Sequence, residues 1–408
     1  MTFSKIQGVL KDHLSESRRP LIQLLAGPRQ VGKTTLLLAL LKEFGEQAAY
    51  VSFDSPAAEF PGLWERTWAQ AQTRGEKLGR TMLLLDEIQH LEDWGTRLKG
   101  EWDRVVRLNL PLAVVASGSS SFRLGGGLHK LTGRFERLTL GHWPAGEIAS
   151  IFDIESAQAA ELYVRLGSYP GSMSFRKDRP RFLSYVRDSI VNPSLSRDAL
   201  ASETGIRRPA LLRQLLAICA GSPAAVESLN KLRGQMTERG ALDTLASYLE
   251  VLEDSFLIAP IRKYAFNEIR SRKAPAKLIA LNNALLAALD PQGPPERARE
   301  PARFGAWVEN ACLASARNAE QQVYYWREGP LEVDAVVEGE WGRWAIEVKS
   351  GAFDSTGLRG LMEFSKRHRR FQPLVLCDPD YRMVADRLGI AALDWRWFLI
   401  HGIPPDLA

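Results

Sequence analysis

Cysteine is scarce. Cys219, Cys312 and Cys377 stand far apart in 408 residues and form no Cys-x-x-Cys pair. That argues against a disulfide framework and a cysteine-based zinc site, and it fits a reducing cytosol. Long apolar runs are missing as well. No stretch approaches the ~20 residues that cross a bilayer, and the opening Met-Thr-Phe-Ser-Lys-Ile-Gln lacks the apolar core of a secretion signal. The expectation is a cytoplasmic protein with no membrane partner. Internal repeats and long low-complexity tracts are absent too. What remains is a globular composition, 45% hydrophobic and 25% charged, over a length that exceeds one hydrophobic core, so two or three domains are expected. The net charge of +5 permits a polyanionic partner without demanding one.

The chain changes character along its length. Leu21–Ala26 is a short apolar run ending in a glycine loop, the pattern of a buried parallel strand. Thr34–Phe44 reads as a helix closed by Gly45, and Ala49–Phe53, Thr81–Leu85 and Leu112–Ala116 read as further strands. Strands alternating with helices predict an α/β domain with a parallel sheet over residues 1–150. From 151 to 290 the pattern turns helical, broken by Gly167, Pro170, Pro193, Pro209 and Pro223. Within it, helices over 228–236 and 239–254 followed by the strand-like Phe256–Ala259 suggest a winged helix. Asp290-Pro-Gln-Gly-Pro-Pro is the clearest linker signal. Residues 291–408 then read as a second α/β domain: a helix near 303–317, strands at Val323–Arg327, Val333–Glu338 and Trp344–Lys349, another helix, and a strand at Pro373–Cys377.

The loop Gly27-Pro28-Arg29-Gln30-Val31-Gly32-Lys33-Thr34-Thr35 has the spacing of a phosphate cradle. Its two bracketing glycines let the backbone turn so that N–H groups face phosphate, Lys33 reaches the β/γ oxygens, and the Thr34 hydroxyl serves Mg²⁺. The helix that starts there adds its positive dipole end. The bland alternative, a glycine turn before a core helix, does not account for the strand before the loop and the helix after it. Leu83-Leu-Leu-Asp86-Glu87 supplies the complement. An apolar strand ends in two acids, Asp86 to orient the Mg²⁺ water shell and Glu87 to polarise the attacking water. A solvated acidic turn is the competing reading. Val114-Val-Ala-Ser117-Gly-Ser119-Ser120 is another apolar strand, and it ends in hydroxyls.

These motifs, with Leu131-Thr-Gly-Arg134-Phe and Gly167-Ser-Tyr-Pro-Gly, resemble in order the prokaryotic AAA_14/DUF4143 ATPases, a P-loop AAA+ group. The resemblance implies ATP as ligand. It implies Ser117 as a γ-phosphate sensor, against a plain serine-rich turn. It implies Arg134 as an arginine finger, against an arginine paired with a nearby acid. A finger supplied in trans implies a homo-oligomer, with a hexameric ring as one form. One stretch departs from the family pattern. Where the family has Lys-x-Tyr/Phe-x-x-Asp-x-Gly, this chain has Lys277-Leu-Ile-Ala-Leu-Asn282-Asn-Ala284.

A second constellation lies near the carboxy terminus. Glu347 and Lys349 are two apart on a strand and share a face. Asp334 opens the preceding strand of a hairpin turning at Gly339–Gly342, which brings Asp334 and Glu347 within reach of one hard cation, Mg²⁺ or Mn²⁺. Lys349 would ease hydroxide formation beside it. This resembles the PD-(D/E)xK arrangement of restriction-endonuclease-like folds, in which Glu309 would be an additional acidic ligand. A solvent-facing Glu-x-Lys pair is the bland alternative. The run Lys366-Arg-His-Arg-Arg370 is a candidate phosphate track or a solvated helix face. The 242–254 helix is acidic on its exposed side, which opposes DNA binding there. The leading expectation is an ATP-hydrolysing protein that remodels or cleaves DNA. The alternative is a nucleotide-gated switch whose nuclease-like domain does not cleave.

Overall fold

Three strands of the amino-terminal region, Ile22–Ala26, Thr81–Asp86 and Leu112–Gly118, are buried at every position, and a strand of that kind is stable only when both faces are covered. The computed structural model describes residues 2–15, 21–118, 127–195, 206, 208–238, 240–265 and 274–407, and it covers both faces. Strands β1 (Ile22–Ala26), β2 (Ala48–Ser52), β3 (Thr81–Asp86), β4 (Leu112–Gly118) and β5 (Phe135–Thr139) form one parallel sheet in the order β2-β3-β4-β1-β5. Successive residues feed opposite sides. Leu24, Leu83, Leu85 and Val114 pack with Trp64, Trp68, Trp94 and Trp102 on one face. Leu25, Met82, Leu84 and Val115 pack with Ile6, Leu10, Leu36 and Leu40 on the other. Because all five strands run the same way, their carboxyl ends gather at one edge: Ala26 lies beside Gly118 and Thr139, and Ser52 beside Asp86. That edge is where the loop after β1 opens.

The described residues divide into two compact units, one reaching to Gly141 and including Ile206, the other spanning His142–Leu195 and Arg208 onward. In the second, helices at Pro209–Gly221, Leu229–Gln235 and Leu242–Asp254 are followed by β7 (Ile258–Lys263) and β8 (Ala276–Ala280), with β6 (Ala225–Glu227) pairing antiparallel to β8. A long helix, Pro301–Asn318, then leads into β9 (Gln322–Glu328), β10 (Leu331–Gly339) and β11 (Gly342–Lys349), which run antiparallel. Next come the helix Arg359–Arg367 and the parallel strands β12 (Gln372–Cys377) and β13 (Ala391–Asp394). All eight strands join one sheet, β13-β12-β11-β10-β9-β7-β8-β6.

That sheet runs across the expected boundary at 290. Strands from both sides of it pair, β7 with β9, and the proline-rich stretch is tied down by side chains. Arg303 donates to Asp290 Oδ2 at 2.9 Å and to the Gly293 carbonyl at 2.8 Å, and Arg297 bonds Asp378 and the Ser350 carbonyl. Proline and glycine marked the absence of helix and strand, not of packing. No helix among the described residues is long and apolar enough to cross a membrane.

The departure at Asn282 has a structural role. Asn282 caps the helix Asn283–Leu289: its Oδ1 accepts from Ala284 N at 3.1 Å and from Ser168 N at 3.0 Å. Its Nδ2 donates to His142 Nδ1 at 3.0 Å, while His142 Nε2 donates to the Phe256 carbonyl at 3.0 Å. A carbonyl can only accept, so the imidazole proton sits on Nε2 and Nδ1 is a lone pair. Gly167 makes room for the contact, since a Cβ there would stand 1.9 Å from Asn282 Oδ1. The Gly-Ser-Tyr-Pro motif and the Asn-Asn motif therefore close on each other, with Tyr169 edge-on to His142.

Asn282→Asp would keep the acceptor and lose the donor. A carboxylate oxygen would then face the Nδ1 lone pair, and only a second proton on His142 relieves that. Burial holds native His142 down to about 4, its bond to Phe256 opposing, so the native protein loses stability as pH falls below the ordinary histidine range. In the variant the histidine pKa is raised, and the sign reverses: stability from that pair is lost as pH rises. The variant is expected to be weaker than native by about 1–3 kcal/mol near about pH 8 and by less near about pH 5.5. Thermal unfolding at both conditions checks this, and a pH-independent gap would refute it.

Candidate functional site

The loop after β1 takes the shape its sequence demands. Gln30 and Gly32 have φ of 62° and 99°, and the helix Lys33–Phe44 begins directly after them. A Cβ on Gly27 would lie 2.2 Å from the Leu140 carbonyl oxygen. Lys33 is buried, its ammonium donating to the Gly27 and Pro28 carbonyls at 3.1 and 2.9 Å. Burial lowers its pKa, with Glu87 and Asp86 pulling the other way. Val31 is buried, Arg29 half-buried, and Gln30, Thr34 and Thr35 are exposed.

The acids arrive as the strand order requires. Thr34 donates its hydroxyl to Asp86 Oδ2 at 2.8 Å, and Tyr50 donates to the same oxygen at 2.9 Å. Ser117, at the end of β4 between β1 and β3, donates to Asp86 Oδ1 and accepts from the Glu87 N–H at 3.2 Å. Glu87 sits at φ 49°, and its carboxylate accepts from Gln89. Thr34, Asp86, Glu87 and Ser117 are thus one hydrogen-bonded group at the mouth of the loop. Ser119 and Ser120 lie outside the described residues. Tyr50 and Gln89 were not among the expected site residues. Tyr50 had a faint signal, a phenol in the middle of a strand otherwise built of small residues and a valine. The Thr34 and Asp86 oxygens fit Mg²⁺, an ion that takes one or two protein ligands and completes its shell with phosphate and water.

Arg134 binds at home. Its guanidinium forks onto Asp103 of the helix Trp94–Leu108, Nε to Oδ1 at 2.6 Å and Nη2 to Oδ2 at 3.2 Å, and it also reaches the Thr132 carbonyl. The hydrogen bond from Arg134 depresses the Asp103 pKa. Both side chains are partly exposed, and such a surface pair is a weak hold.

At the second constellation, the hairpin brings Asp334 and β11 together, and Asp334 Oδ2 accepts from Val348 N at 2.9 Å. Lys349 donates to Glu347 Oε1 at 2.7 Å. Glu347 Oε2 is buried without a hydrogen bond. Burial first, then Asp334, pushes the Glu347 pKa up to about 8, with Lys349 opposing. Glu309 is pushed up to about 7 by burial and Asp334, with Lys277 opposing. Glu309 is committed: Lys277 donates to its Oε1 at 2.7 Å. Among the described residues no group of three or more His, Cys, Asp and Glu side chains is arranged to hold a metal ion, so the expected set of Asp334, Glu347 and Glu309 does not fit one in this structure. Asp334 and Glu309 are drawn to a lysine instead.

The basic run is also spoken for in part. Arg367 pairs with Glu363 at 2.7 Å and also with Glu328, and Arg370 bonds Tyr264 at 2.6 Å and lies 3.3 Å from Glu338.

Residues 19–149 match the AAA_14 family, described as an AAA domain. Residues 157–296 match the domain of unknown function DUF8612, and residues 304–396 match DUF4143. The amino-terminal unit therefore carries an AAA domain, and the phosphate-cradle sequence lies inside it. An uncharacterized protein of Haemophilus influenzae is 25% identical over 287 residues, 65% of this chain and 68% of that one. An uncharacterized protein of Mycobacterium tuberculosis is 27% identical over 341 residues, 81% and 70% of the two chains. Among solved structures, the RuvB Holliday junction branch migration motor of Thermotoga maritima aligns at TM-score 0.33 and 20% identity, over 63% of this chain and 88% of its own. The Orc1 protein of Aeropyrum pernix in complex with DNA aligns at TM-score 0.30 and 14% identity, over 74% and 92%.

Proposed function

We propose that this chain binds ATP with Mg²⁺ in the loop Gly27–Thr35, hydrolyses it, and uses the cycle to act on DNA. The observation behind the first part is the 2.8 Å bond from Thr34 to Asp86, which joins two residues from distant motifs as a nucleotide–Mg²⁺ site requires. Mg²⁺ would neutralise charge on the β- and γ-oxygens. The loop N–H groups and Lys33, released from the Gly27 and Pro28 carbonyls, would hold the same oxygens. Asp86 would orient the ion's water shell. Glu87 would take up the proton of the attacking water, and Ser117, bonded to the Asp86 carboxylate and the Glu87 backbone N–H, would sense the terminal phosphate. Arg134, freed from Asp103, would reach a neighbouring subunit's nucleotide in a homo-oligomer, with a hexameric ring as one form.

For DNA the support is indirect: a positive net charge, and a helix, three strands, a helix and a strand in that order after 301, the order expected of a restriction-endonuclease-like domain. The lysine at Glu309 and Asp334 favours the second reading for that last part, a nuclease-like domain that binds without cutting. The test measures ATP turnover and DNA affinity together, with salt titrated, and assays cleavage of single-stranded, duplex and branched DNA with Mg²⁺ or Mn²⁺. Turnover that DNA leaves unchanged, with no salt-sensitive DNA binding, would refute the DNA assignment.

A further inference from the structure

A divalent ion at Asp334 needs open oxygen ligands at about 2.0–2.1 Å if Mg²⁺. The structure puts an ammonium there. Lys277, fourth from the end of β8, is 1% exposed, in a strand whose next three residues are apolar and buried. Its Nζ lies 2.7 Å from Glu309 Oε1, 3.0 Å from Glu332 Oε1 and 3.6 Å from Asp334 Oδ1. These acids come from the helix Pro301–Asn318 and from alternate positions of β10, so one side chain gathers three elements. The other Asp334 oxygen is taken by the Val348 amide, and one Glu347 oxygen by Lys349. That leaves Glu347 Oε2 as the one carboxylate oxygen of this pair that is buried with no hydrogen bond. An ion bound to Asp334 would also sit against the ammonium, and like charges that close repel strongly where little water screens them.

We propose that Lys277 is the resident cation of this centre. Its ammonium stands on the Oδ1 side of Asp334, where a metal bound to that oxygen would have to sit, and it pairs internally with Glu309, Glu332 and Asp334. It also pins β8, the long helix and β10 together without any ion. The centre is then a fixed scaffold and not a metal-dependent cleavage site. The inference concerns the second unit alone and stands whether or not the first turns over ATP.

Mn²⁺ binding to the nucleotide-free full chain tests it, followed by calorimetry, with thermal unfolding in chelator and in Mn²⁺. Native protein and Asp334→Asn should give the same isotherm, and native unfolding should be unmoved by Mn²⁺. Lys277→Met, which keeps the length and removes the charge, should unfold at lower temperature in chelator. Mn²⁺ should restore it through a new site that Asp334→Asn weakens by about tenfold or more. Lys277→Arg should bind no Mn²⁺. Native binding that depends on Asp334 would overturn the proposal. So would a Lys277→Met protein as stable as native in chelator. If Lys277→Met does not fold, the native and Asp334→Asn isotherms still decide.

Discussion

Glu87→Gln should lower ATP turnover by about 10²–10⁴-fold, the usual worth of a positioned general base, and leave ATP binding within about twofold of native, a negligible change on the affinity scale. The amide matches the carboxylate in shape, so the Gln89 and Ser117 contacts around residue 87 need little rearrangement. What is lost is the capacity to take a proton from water. The left-handed backbone at Glu87 turns the residue out of β3 at the sheet edge where Thr34 and Asp86 already meet. Phosphate release and nucleotide affinity, measured on the same preparation, check the split. Turnover at the native rate would remove Glu87 from its assigned role.

Gly27→Ala should cost the loop its shape. The added Cβ would fall 2.2 Å from the Leu140 carbonyl oxygen and 3.2 Å from its carbon. Both are backbone atoms, and the same segment is fastened to β1 by the 2.9 Å bond from Leu140 N to the Ala26 carbonyl. No flexible side chain can step aside, so the loop or the strand end must move. An overpacking cost of about 1–3 kcal/mol is expected, together with a fall in ATP affinity of at least about tenfold, because loop amides displaced by even half an ångström lose their aim at phosphate. Gly100→Ala is the control. It lies within the helix Trp94–Leu108 with nothing within 4 Å of its Cβ, and it should leave affinity unchanged and stability equal or up to about 1 kcal/mol higher. Native ATP affinity in Gly27→Ala would show that the loop does not need this approach.

The amino-terminal unit was legible because its chemistry is local. A strand, a glycine loop and a helix are adjacent in sequence, and continuous apolar runs announce β1, β3 and β4. The expected strand ends fell within two residues of those found. β5 escaped notice because Phe135-Glu-Arg-Leu-Thr is an edge strand with only Leu138 buried, so it shows no long apolar run. β8 escaped for a related reason: a lysine near its start breaks the apolar pattern, and the acids that neutralise it lie on a later helix and strand. The resemblance singled out Lys277 by position, but no spacing rule connects it to Glu309, Glu332 and Asp334. The same limit applies to Arg134. Its Gly-Arg motif is visible, whereas Asp103, on the preceding helix, is brought to it only by folding. Asn282 looked like a lost acid. It proved to be an amide whose second function, donating to a neutral histidine, an aspartate cannot serve.

The central claim is that the loop Gly27–Thr35 is a nucleotide site, and direct titration of MgATP into native and Lys33→Ala protein tests it. Lys33 is buried beside the loop carbonyls, and removing its charge should weaken binding by at least about 2 kcal/mol, some thirtyfold. Saturable binding in the native protein that is lost or weakened to that degree in Lys33→Ala is the predicted result. Equal binding in both proteins, or none in either, would contradict it.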